Sequence, residues 1–162
     1  MFRIISACAA WLLILAGNSA AQETFDQKFS KMITDDAASE AIKLALTKIH
    51  TATCESNKPC AQATPDEFSN PPISLEDVRA TMVFAIKSAL AQWCGLDWKR
   101  SFLPMIAYGK NRKRMSDRQL QLMTLIHGDF QGRQLATYTK SGQCPSALQS
   151  QLDAQLPPVS HA

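Results

Sequence analysis

The sequence predicts an all-α protein, a small bundle of four to five helices stapled by two disulfides. Three observations carry that expectation. Apolar residues recur at three- and four-residue spacing along most of the chain, Ser74 and Ser116 each open a long apolar stripe with a capping signature, and no run of alternating β-branched residues occurs. Four cysteines outside the first 21 residues supply the staples.

Residues 1–21 read as a secretory signal peptide. Met1-Phe2-Arg3 gives a positive start, Ile4 to Ala16 is a nearly unbroken apolar run of 13 residues, and Ser19 and Ala21 put small side chains before Gln22. That run is too short for a membrane span, which needs roughly 20 residues. Ile5-Ser6-Ala7-Cys8 imitates a lipidation site, but only Arg3 and Ile4 separate it from the first two residues, so no apolar segment precedes it. Removing 21 of 162 residues leaves 141, one domain over 22–156 with a flexible tail at 157–162. The expected compartment is the periplasm or the exterior, with no membrane span after signal removal.

Phe25, Phe29, Met32 and Ile33 fall on one side of a first helix near 23–33. Thr34-Asp35-Asp36 then offers cap oxygens and negative charge for a second helix with a stripe of Ile42, Ala45, Leu46 and Ile49, unless the two are one bent helix. Periodicity vanishes between Thr51 and Pro72, which predicts a loop at 51–72 holding Cys54 and Cys60. Ser74 caps the next helix, with Asp77 three residues on and Ile73 placed to staple Val78. Met82, Ala85, Ile86, Ala89 and Trp93 continue the stripe until Gly95. A short helix is expected over 102–108, with Ser101 as its cap, Pro104 in its first turn and Gly109 as its stop. Ser116, with Gln119 three residues on and Met115 facing Leu120, opens a long helix bearing Leu122, Leu125, Ile126 and Phe130. Gly128 and Gly132 within it suggest close approach of another helix. Gly142 ends that helix, and Cys144-Pro145 opens a last one with Leu148 and Leu152.

Cys8 leaves with the signal, so five cysteines become four. Four cysteines allow three pairings. Glu55 to Pro59 is rich in turn formers, which favours Cys54–Cys60 and leaves Cys94–Cys144. A metal site using His50 with Cys54 and Cys60 is the weaker reading, because zinc ligands usually stand two to four residues apart and oxidising compartments favour disulfides. No metal and no cofactor are expected.

Charge is unevenly spread. Gln22 to Trp98 carries 7 basic and 11 acidic residues, net −4, whereas Lys99 to Ala162 carries 9 and 3, net +6. Lys110, Arg112, Lys113, Arg114 and Arg118 crowd the connection between two helices, close in sequence to Lys99 and Arg100, and form a candidate anion-binding patch. Its expected partner is an envelope protein or an anionic surface. Nucleic acid is not expected, since the chain is exported and the patch lacks interleaved aromatics. The second candidate is an apolar cleft for a small amphiphile built from Trp93, Trp98, Phe102, Met105 and Tyr108. No acid, base and nucleophile stand at a workable spacing. His127 and Asp129, two apart on a helix, point in different directions. The chain therefore reads as a binding module rather than an enzyme.

Overall fold

The computed structural model describes residues 25–158, so the predicted signal peptide, Cys8, Gln22 and the end of the tail lie outside the described residues. Seven α-helices occur among them: α1 (Phe25–Met32), α2 (Asp35–Lys48), α3 (Pro65–Ser69), α4 (Leu75–Trp93), α5 (Lys99–Asn111), α6 (Asp117–Lys140) and α7 (Ser146–Gln155). Five of the seven have ten residues or more. No strand occurs among the described residues, and none of their helices is long and apolar enough to cross a membrane.

α4 is the axis of the bundle, touching α1, α2, α5, α6 and α7. Its predicted stripe is buried through Ala89, with Trp93 half-buried, but Thr81, Val83, Ser88, Leu90 and Ala91 are buried as well. A helix covered on several sides needs small or apolar residues all round rather than along one stripe. α6 is its main partner and contributes Leu122, Met123 and Ile126, while α2 contributes Ile42, Ala45 and Leu46.

The predicted caps form. The Ser74 hydroxyl accepts from the Asp77 amide at 3.1 Å, and Ser116 and Gln119 make a reciprocal capping box. Thr34, extended at φ −75°, ψ 160°, caps α2, so α1 and α2 are two helices rather than one bent one. Ile33 is buried, whereas Met32, expected on the same apolar side, is 67% exposed.

Several expectations need correction. The segment 51–72 is not plain loop: it holds two 3₁₀ turns and α3, which Thr64 and Glu67 open with a capping box and Pro65 at the first helical position. The helix expected at 102–108 runs from Lys99 to Asn111, because the Ser101 hydroxyl donates inward to the Phe84 carbonyl at 3.1 Å instead of capping. Asp97 serves the new start, its carboxylate accepting from the Lys99 amide at 3.0 Å. Pro104 thus sits in the sixth position and cannot return a helical bond to the Arg100 carbonyl. Gly109 does not stop the helix; a Cβ there would stand 2.9 Å from Leu120 Cδ2 and 3.3 Å from Met115 Sδ, so the glycine lets α5 seat on the start of α6. Gly128 and Gly132 do the reverse of what was expected, since both are exposed with nothing within 4 Å.

Both disulfides join the expected pairs, Cys54–Cys60 with Cα atoms 4.8 Å apart and Cys94–Cys144 with 5.0 Å. The second closes 50 residues and ties α7 to the end of α4, worth about 4 kcal/mol in the chain-entropy account. Arg100 holds the other end of α7: its guanidinium pairs with Asp153 and donates to the carbonyls of Asp153, Leu156 and Pro157. Carbonyls at a helix C-terminus attract such a cation. Pro157, where a flexible tail was expected to begin, is therefore fastened to α5.

Candidate functional site

The turn from α5 into α6 carries the predicted basic residues, and the structure divides them. Arg118 turns inward. Its Nε and Nη2 bond the two Glu67 oxygens at 2.6 and 2.8 Å, and Nη1 donates to the Ala61 carbonyl at 2.8 Å. This fork fastens the 51–72 excursion to α6, and Arg118 holds the Glu67 carboxyl below its ordinary pKa. Lys113 pairs with Asp77 at 3.1 Å, close to the cap of α4, and that carboxylate raises the pKa of the ammonium.

Lys110, Arg112 and Arg114 remain exposed, and with Lys99 at the far end of α5 they make no ion pair among the described residues. From Trp98 to Ser116 the chain has six cations and no carboxylate, with Asp97 and Asp117 just outside that stretch. Arg114 takes φ +51°, a left-handed conformation that L residues with side chains rarely adopt. α5 ends there by bonds from the Arg112 and Lys113 amides to the Tyr108 carbonyl, after which the Met115 amide returns to Gly109 at 3.1 Å.

The outer face of α5 is mixed. Lys99, Leu103, Ala107 and Lys110 follow one another at helical spacing and are all exposed, with Leu103 at 54%, whereas Tyr108, five residues beyond Leu103, is 49% exposed on another side of the helix. Two of the four exposed large apolar side chains among the described residues thus lie on the helix that leads into the basic turn.

The five residues expected to line one cleft are dispersed. Met105 is core at 1% exposure, and Tyr108 faces outward. Trp93 stacks on Tyr138 with centroids 5.6 Å apart and donates through Nε1 to the Gly142 carbonyl at 2.9 Å. Trp98 and Phe102 pack on each other and on His127. Two surface recesses lie elsewhere: a small one between α2 and α6, and one of about 320 Å³ between α1 and α4 that includes Asp26, Glu76, Arg79 and Phe84.

Sequence reading missed the partner of His127. Its Nε2 stands 2.9 Å from the Ser88 hydroxyl, which also donates to the Trp98 carbonyl at 3.4 Å. The imidazole tautomer sets the direction of this bond: where Nε2 carries the proton, the Ser88 hydroxyl accepts it and gives its own to the Trp98 carbonyl. Ser88 is fully buried and His127 1% exposed, and the Phe102 ring lies 4.9 Å from the imidazole. Burial lowers the His127 pKa to about 4, so the imidazole is neutral near pH 7. The pair is a polar tie between α4 and α6. Asp129 instead pairs with Lys48 and Arg133.

Cys54 and Cys60 are bonded to each other, and no group of three or more metal-ligating side chains stands together among the described residues. No family model, curated protein or solved structure matches the chain.

Proposed function

We propose that this chain is an exported helical binding module, periplasmic or secreted, that engages a negatively charged partner through the outer face of α5 and the turn that follows. The signal-like start at 1–21 and the two disulfides support export to an oxidising compartment. The observation that carries the binding site is the set of four exposed cations, Lys99, Lys110, Arg112 and Arg114, that the fold leaves without carboxylate partners. Elsewhere most of the cations the sequence grouped with them have been drawn into the structure: Arg100 onto α7, Lys113 onto Asp77, Arg118 onto Glu67. A surface of unpaired cations attracts anions at long range, and salt weakens that attraction.

Retention of the exported, disulfide-intact chain on an immobilised polyanion tests this. Wild type is expected to elute at high salt and Lys110→Glu/Arg112→Glu/Arg114→Glu at low salt. Lys43→Glu/Lys58→Glu/Lys140→Glu, the same charge change at exposed lysines elsewhere, is expected to elute close to wild type. Equal losses in the two triple variants would mean that net charge rather than this site holds the chain.

A further inference from the structure

We infer that the outer face of α5 docks on an anionic lipid bilayer, with Leu103 entering the headgroup layer and Lys99, Lys110, Arg112 and Arg114 lying against the phosphates. The inference rests on the proposed reading of the same basic site and names its partner. Charges alone would suit any polyanion, but this face is not made of charges alone. Leu103 is 54% exposed at its centre, and the exposed Ala107 lies beside it one turn on. Cations at both ends of an exposed apolar strip match a lipid surface, where phosphates are laterally mobile and the layer beneath them accepts apolar groups. The inner face of the same helix is committed to the bundle through Ser101, Met105 and Gly109, so α5 can meet a surface without leaving the core.

One leucine and one alanine offer too little apolar area to hold the protein on a neutral membrane. Attachment must then depend on lipid charge, with each cation near the surface contributing about five-fold in affinity. Four cations give on the order of several hundred-fold, enough for reversible attachment that salt removes.

Co-sedimentation of the exported, disulfide-intact chain with vesicles of phosphatidylcholine, with or without phosphatidylglycerol, tests the inference beside the polyanion column. The expected result is binding to the phosphatidylglycerol vesicles only, lost at high salt. Leu103→Ser is expected to weaken vesicle binding about ten-fold while leaving column retention at the wild-type value. Because Leu103 is half-exposed, the variant should fold, and a wild-type circular dichroism spectrum checks that it does. Retention on the column without binding to phosphatidylglycerol vesicles would overturn the lipid inference and leave the basic site standing, with an acidic protein then favoured as partner. Vesicle binding that Leu103→Ser does not change would overturn apolar entry. Failure on both column and vesicles would sink the site itself.

Discussion

The two faces of α5 draw on the same thirteen residues and meet opposite fates. On the inner face Ser101 is 2% exposed and bonded to Phe84, Met105 is 1% exposed, and Gly109 has no side chain because Leu120 and Met115 occupy the space. On the outer face Lys99, Leu103, Ala107 and Lys110 are exposed, and neither lysine has an ion-pair partner among the described residues. The contrast repeats at the turn beyond. Arg114 and Arg118, one helical turn apart in sequence, are respectively an exposed cation in a left-handed conformation and a fork clamped on Glu67. Charge density in the sequence marks where cations are, but only the fold decides which of them are spent inside it.

The largest effect expected from breaking the inner side is at His127, packed beneath α5 through Trp98 and Phe102. Its pKa is near 4 in the fold and about 6.5 when unfolded, so the unfolded chain binds the proton more readily. Stability is therefore complete above about pH 6.5 and falls as the pH drops toward 4, by about 3 kcal/mol. Urea unfolding at pH 7 and pH 4.5 should show most of that loss in wild type and a much flatter dependence in His127→Gln. The depressed Glu67 acts in the same direction below its own unfolded pKa, so a further decline is expected below about pH 4.5.

Next is Arg118→Ala, which leaves the partly buried Glu67 carboxylate without its fork. A loss of about 2 kcal/mol is expected by denaturant unfolding, with retention on a polyanion changed little. The smallest effect separates stability from binding at one residue. Arg114→Gly relieves the left-handed strain and should gain about 0.5–1 kcal/mol of stability while lowering the salt concentration at which the chain elutes. A stability loss in Arg114→Gly would mean that Arg114 has a structural partner and that the division between the two arginines is wrong.

Most of the bundle was legible because its signals are local. Caps at Ser74 and Ser116, the stripe of α2 and the turn between Cys54 and Cys60 each lie within a few residues of what they determine. α3 was legible too, since Thr64-Pro65-Asp66-Glu67 is a capping box with proline at the first position, but the surrounding polar run obscured it. What could not be read depends on distant partners. Ser101 looks like a cap until Phe84, 17 residues earlier, claims its hydroxyl, and Arg118 looks like a surface cation until Glu67, 51 residues earlier, claims its guanidinium. His127 found Ser88 39 residues away, a pairing with no local signature. The aromatic cluster near 93–108 was dispersed because a helical turn sends neighbouring residues in different directions, one to Tyr138, one to the core and one to solvent.

Amide hydrogen exchange of the disulfide-intact chain, free and bound to phosphatidylglycerol vesicles, tests the central claim most directly. The account predicts slowed exchange confined to α5 and the turn at 99–114, with α3 and the Arg118 clamp unchanged. Protection centred on the recess between α1 and α4, or none at 99–114 in a sample shown to be bound, would contradict it.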